Sequence, residues 1–363
     1  MLTLTGPQIE TAQSTTVREG RDVGLDRDVG LDIVRVIATA MVVALHVAGE
    51  GFYALGSDWR FVNVYDSLVR PAVPLFFMIS GALIIPQRDT LHKLVGRLAK
   101  IAVPLVVWSA VIMVGMLWTN LVRFKPPNTE LHPLQILQGP IMGHLWFVYA
   151  LLGLYLFIPV LQAFYRFSSA ALHSLYLLMW SVGVSLLPFV KQVFGLHLVG
   201  VDLAYFPLYA GYALLGAILL PWRPAARTGA VLLFVGVLLG LGTALLTRWE
   251  TMRTGVPSEA FYGYNSPLAV AAAVCFFQAF RSLGTTVQSA SAAKQIARLA
   301  GLTFGVYILH LPVLFFLSQL RFTYNIGGSA LGIPLKSAAI LLVTAILVAL
   351  IRMTQLGRVL CPS

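Results

Sequence analysis

Residues 30–51 read GLDIVRVIATAMVVALHVAGEG, an apolar run of membrane-spanning length that carries Asp32, Arg35, His46 and Glu50. In an α-helix, about 100° of turn and 1.5 Å of rise per residue place Asp32, Arg35 and His46 within about 60° of one face, with roughly 16 Å of axis between Arg35 and His46. One polar stripe then runs the length of the helix. Ionisable groups inside a bilayer are costly unless they face protein or water, so the stripe predicts an inward-looking passage rather than a lipid-facing surface. Plainer readings stand beside this one. Asp32 and Arg35, three residues apart at a helix start, also fit an ion pair at the headgroups, and His46 also fits a packing histidine. Glu50, one turn beyond His46, fits either an orienter of the imidazole or a solvated helix end.

The rest of the chain agrees with a bilayer setting. Of its 363 residues 58% are hydrophobic and only 11% charged, and the mean hydropathy is +0.83, more apolar surface than a soluble domain of this size can bury. The fold class is therefore all-α, a polytopic integral membrane protein. The formal charge of +11 is explained by its distribution along the chain and not by a nucleic-acid partner. Cys275 and Cys361 sit in an apolar segment and near the C-terminus, so no structural disulfide is expected. No HExxH-like spacing occurs and the seven histidines are scattered, so no metal is expected.

Residues 1–29 are polar and mixed in charge, unlike a signal peptide, and read as a flexible cytosolic tail. Apolar runs of spanning length follow at roughly 31–50, 67–86, 99–119, 143–164, 171–190, 201–220, 228–247, 265–281, 301–320 and 333–352, about ten transmembrane helices. One membrane domain over 30–352 is expected, then a short cytosolic tail, 353–363. An even count puts both termini on one side. One alternate set of loops and helix ends holds Arg88, Lys93, Arg97, Lys100, Arg166, Arg223, Arg227, Arg281, Lys294, Arg298, Arg352 and Arg358, twelve bases against the single acid Asp89. The other set holds Arg60, Arg70, Arg123, Lys125, Lys191, Arg248, Arg253, Arg321 and Lys336, nine bases, with seven acids, Glu50, Asp58, Asp66, Glu130, Asp202, Glu250 and Glu259. The first set, and with it both termini, is expected in the cytosol.

Further polar positions recur along these helices. Arg70 opens RPAVPLFFMISGALIIP (70–86) and fits an anion ligand or a snorkelling anchor; Ser80 and Gly81 permit close helix approach. In QRDTLHKLVGRLAKIAVP (87–104), Arg97 and Lys100 share a helix face at the cytosolic mouth, suiting phosphate or simply marking the inside. GHLWFVYALLGLY (143–155) offers His144, Trp146, Tyr149 and Tyr155, either a lining that stacks on a sugar or an interfacial aromatic belt. LTFGVYILHLPVLFFL (302–317) puts His310 near mid-depth, where it is expected to share the interior with the first helix. His92, His132, His173 and His197 are given no role.

Together these pieces resemble acyltransferase family 3, integral-membrane acyltransferases that modify glycans and other extracytoplasmic acceptors. The matching stretches are LDIVRVIATAMVVALH, with Arg and His separated by ten residues, RPAVPLFFMISG, RLAKIAVP, HLWFVYALLGLYLFIP and FGVYILHLP, in family order across residues 30–352. The HLWFVYAL form resembles the branch of stand-alone glycan acyltransferases. The resemblance implies an acyl-CoA donor on the cytosolic side and an acceptor hydroxyl at or beyond the outer side. It implies a catalytic His46, with Arg35 holding the donor or polarising the acyl group. Arg97 and Lys100 match a pair that is commonly two arginines. Many members carry WSLxVE in the fourth helix, and Leu151 stands here at the glutamate position, so that carboxylate is absent or replaced by another group such as Glu50.

The expectation is thus an O-acyltransferase of a bacterial inner membrane, without a resident cofactor, moving an acyl group, first of all acetyl from acetyl-CoA, onto a polysaccharide or lipid-linked glycan. His46, Arg35 and Glu50 are the expected catalytic set, Arg97, Lys100 and Arg70 the donor ligands, and His144, Trp146, Tyr149 and His310 the acceptor side or pore lining. A neutral histidine can take the hydroxyl proton as the new bond forms, or can itself carry the acyl group. A transporter or flippase for an anionic or glycan solute would use the same polar interior, and a non-catalytic scaffold would give no reason for histidines on two interior helices.

Overall fold

In a computed structural model the chain is described over residues 27–122, 134–196 and 208–363. The expected N-terminal tail up to residue 26, and His132 and His197, lie outside the described residues. Helices in chain order are α1 (Val29–Phe52), α2 (Trp59–Val69), α3 (Ala72–Ile84), α4 (Leu91–Val122), α5 (Gln135–Gln138), α6 (Trp146–Phe167), α7 (Ala170–Trp180), α8 (Leu187–Phe194), α9 (Ala210–Leu219) and α10 (Ala226–Thr254). They continue with α11 (Pro267–Ser282), α12 (Ala290–Ala300), α13 (Thr303–Gln319), α14 (Ser329–Ile351) and α15 (Gln355–Leu360). No strand occurs among the described residues.

Helix α1 is the hub of the bundle and packs against α2, α3, α11, α12, α13 and α14. Asp28 caps its start, its carboxylate accepting from the Leu31 amide at 3.2 Å. Val34, Ala38, Val43, Val47 and Ala48 are fully buried. Lipid tails are as apolar as these side chains, so such contacts stabilise by close packing and by interhelical polar bonds, not by withdrawal from water.

Among the described residues eight segments are long and apolar enough to cross a membrane, and α12 with α13, bent by 51° at their junction, make a ninth if they are one span. The tenth expected span, at 201–220, corresponds among the described residues to α9, whose ten residues rise only about 15 Å, half a bilayer core. The second span also differs from expectation. It begins at Trp59, eight residues earlier than the hydropathy implied, because Asn63, Asp66 and Ser67 face inward from α2 and dilute its apolar signal, and it runs to Ile84 with a break at Arg70–Pro71. Asn63 is bonded through both ends of its side-chain amide. The Asn63 amide donates to the Ala244 carbonyl of α10 at 2.8 Å, and the Tyr262 phenol donates to Asn63 Oδ1 at 2.6 Å.

The close approach expected at Gly81 is present. A Cβ there would lie 1.9 Å from the Ala213 carbonyl oxygen, and one at Gly216 would lie 1.9 Å from that of Met78, so α3 and α9 cross with their backbones touching. The last residues are packed, not trailing. Cys361 is buried and the Trp108 indole of α4 donates to the Leu360 carbonyl at 3.0 Å.

Candidate active site

Two polar centres lie along α1. Near its start, a cavity of about 410 Å³ is lined by Arg35, by Arg97 and Lys100 of α4, and by Ser80, Gln87 and Tyr155, with Ile79, Leu151, Phe147 and Tyr307 as apolar wall. Arg97 is held by Asp89 and donates to Gln87 Oε1 at 2.8 Å. Asp32 turns away from Arg35 and pairs with Arg27 at 2.5 Å. Among the described residues no carboxylate lies within ion-pair distance of Arg35, so its guanidinium, like the Lys100 ammonium, is open to an anionic guest. Tyr155, expected with the aromatic groups of the outer end, belongs to this cavity, which it lines together with Ser80. Leu151, at the position of the family glutamate, is simply part of the apolar wall.

Further along α1, His46 meets His310 of α13 and His144, which precedes α6, at ring-centre distances of 5.1 Å and 6.3 Å; His144 and His310 are 5.1 Å apart. The expectation that His310 shares the interior with α1 therefore holds. Carbonyls only accept, which fixes two ring protons. His144 donates from Nε2 to the Ile308 carbonyl at 3.0 Å, and His310 donates from Nδ1 to the Tyr307 carbonyl at 2.5 Å. Nδ1 of His144 and Nε2 of His310 are left as buried lone pairs with no donor among the described residues. Among the described residues no group of three His, Cys, Asp or Glu could hold a metal ion.

Tyr307 belongs to both centres. Its ring lines the cavity yet lies 5.7 Å from His144 and 5.8 Å from His310, and its phenol donates to the His144 carbonyl. With Phe147, 5.3 Å away, and Phe76 beyond it, Tyr307 forms an aromatic wall between the cations and the imidazoles. Nothing in the spacing of its own helix marked this residue. It is found only by the contact across helices.

Three expected site residues are placed elsewhere. Glu50 does not orient His46. Both its oxygens accept from the Lys336 ammonium, at 2.7 and 2.8 Å, and Lys336, counted beforehand with loop cations, is fully buried two turns inside α14. A lone lysine within an apolar run was the available signal. Arg70 does not join Arg97 and Lys100. It pairs with Asp66 at 2.7 Å, lies 3.9 Å over the Tyr262 ring and is within electrostatic reach of His46, on the imidazole side. Tyr149 lines no passage; its phenol donates to the carbonyls of Ile136 and Gly139 at 2.5 and 3.0 Å, tying down the preceding loop. Trp146 does face an aromatic group, stacked on Tyr264 at 5.6 Å. Beyond the spans, the Tyr53 phenol donates to Glu259 at 2.6 Å, and that bond to a carboxylate holds the phenol above its usual pKa.

An apolar helix bundle with an open cation-lined cavity at one end and paired imidazole lone pairs at the other has what acyl transfer inside a membrane needs. The chain matches the acyltransferase domain model of acyltransferase family 3 over residues 28–353. It belongs to that family and is a membrane acyltransferase. Comparison with curated proteins and with solved structures gave no significant match.

Proposed function

We propose that the protein transfers a short acyl group, acetyl first, from acyl-CoA on the cytosolic side to a hydroxyl of a polysaccharide or lipid-linked glycan, in a bacterial inner membrane with both termini inside. The observation that carries this reading is the placement of Arg35 and His46 on one helix, the first in a cavity shared with Arg97 and Lys100, the second among imidazoles. Guanidinium and ammonium groups suit the phosphates of coenzyme A. The thioester end of the donor then lies toward the Tyr307 wall, and the acceptor hydroxyl comes from the imidazole side.

In the reaction His46 takes the hydroxyl proton as the alcohol oxygen bonds to the thioester carbon, and coenzyme A leaves as its thiolate. The buried lone pairs of His144 and His310 accept from the O–H groups of an alcohol and position it. Arg70, on the same side, supports the oxyanion. A relay in which His46 carries the acyl group uses the same residues and would join two substrates that enter from opposite sides. No resident cofactor is needed, since acyl-CoA is a substrate. Purified protein should release coenzyme A thiol from acetyl-CoA, and mass spectrometry of surface glycans from cells with and without the intact protein should show the ester. Transport of a glycan without thiol release or ester would refute the reading.

A further inference from the structure

A second cavity, of about 320 Å³, opens at the far end of α1 from Arg35. It lies between the π-helical turn Ser181–Leu186 with α8 on one side and the loop joining α10 to α11 on the other. The bond from Tyr53 to Glu259 fixes that loop at the α1 C-terminus. Phe189, Tyr209 and Tyr264 supply rings, and Ser185, Gln192 and Asn265 neutral polar groups. Among the described residues no charged one lines it, in contrast to the cavity holding Arg35, Arg97 and Lys100.

We infer that this cleft is a binding subsite for a neutral sugar ring of the acceptor, an inference that rests on the acyltransferase reading and adds where and how the acceptor is held. Three observations converge. Aromatic faces beside neutral amide and hydroxyl groups suit a ligand with C–H faces and many hydroxyls, while the absence of charge disfavours phosphates and amines. Asn265 Oδ1 is buried in the cleft without a donor among the described residues, so the site is short of an O–H or N–H partner, and His144 Nδ1 and His310 Nε2 share that need. The cleft is also coupled to the imidazoles. Tyr264 and His46 are both within electrostatic reach of Arg70, and Trp146, two residues from His144, stacks on Tyr264.

The test uses saturation-transfer NMR on the full chain in lipid nanodiscs, with maltotriose, mannotriose and chitotriose as neutral probes and glucosamine and glucose 6-phosphate as charged ones. At least one neutral probe should show saturable transfer, and the charged ones at least tenfold less. Asn265→Ala should weaken binding about tenfold, the loss of one hydrogen bond to a buried acceptor. Gly263→Trp should abolish it by filling the cleft. A Cβ on Gly263 meets nothing within 4 Å, so the fold survives, as an unchanged melting temperature would verify. No transfer from any neutral probe, equal transfer from the charged ones, or transfer unaltered by Gly263→Trp would each overturn the subsite. Thiol release from acetyl-CoA, followed on the same nanodiscs, separates the two readings. Turnover without sugar contact removes the cleft alone, and sugar contact without turnover removes the acyl-transfer reading.

Discussion

The two ends of α1 solve opposite electrostatic problems. Around Arg35 the protein gathers cations, leaves one guanidinium without a carboxylate and keeps an open cavity. Around His46 it gathers imidazoles, with the Arg70–Asp66 ion pair on the same side, commits two of their nitrogens to carbonyls and, among the described residues, leaves two others without a partner. The first arrangement recognises charge wherever it sits on a flexible ligand, because Coulomb attraction tolerates displacement. The second demands a hydrogen at a set place. On the proposed function, a donor held by its phosphates and an acceptor held by its hydroxyls would be told apart before chemistry begins, with Tyr307 between the two ends.

The largest effect should come at the imidazole end. His46→Ala is expected to lower turnover of acetyl-CoA about a thousandfold, within the range for loss of a general base, with the donor KM changed less than threefold; a thiol-release assay reads both. Loss of donor affinity with turnover intact would reverse the roles given to the two ends. Next is Glu50→Gln, which strands Lys336 as an unpaired buried cation and should cost about 3 kcal/mol, read as a lower melting temperature in nanodiscs. Adding Lys336→Met should recover most of it, and the pH–rate profile of Glu50→Gln should match the parent because Lys336, not His46, holds that carboxylate. At the cation end, Arg97→Ala with Lys100→Ala should raise the donor KM about thirtyfold, the loss of roughly 2 kcal/mol of charge-assisted contact, while saturating turnover stays within twofold. The smallest effect is expected from Tyr149→Phe, which removes bonds to two loop carbonyls and should cost about 1 kcal/mol of stability, with both kinetic constants preserved.

What could be read beforehand follows the range of the forces involved. Arg35 and His46 were legible because their relation is set by one helix, and helical geometry is local. Arg97 and Lys100 were legible for the same reason, as neighbours on one face. Glu50 was misread because its partner is 286 residues away, and a near imidazole looked like the natural neighbour. Arg70 was grouped with other cations by charge alone, although the break at Pro71 and the adjacent Asp66 turn it to the other end. The shortness of α9 was hidden by composition, since its apolar residues continue a run that the described helix does not, and the polar face of α2 hid its membership of a span.

The Glu50–Lys336 bridge has a consequence for how the molecule is made. An isolated lysine in a helix entering lipid costs about 2.5–3.5 kcal/mol at the centre of the bilayer, and its counter-charge was synthesised 286 residues earlier. During biosynthesis the opening helix must wait, with its carboxylate unmatched, until α14 leaves the ribosome. Docking of α14 against α1 is then a late event, and nascent chains stopped before α14 lack the ammonium that Glu50 holds in the finished protein.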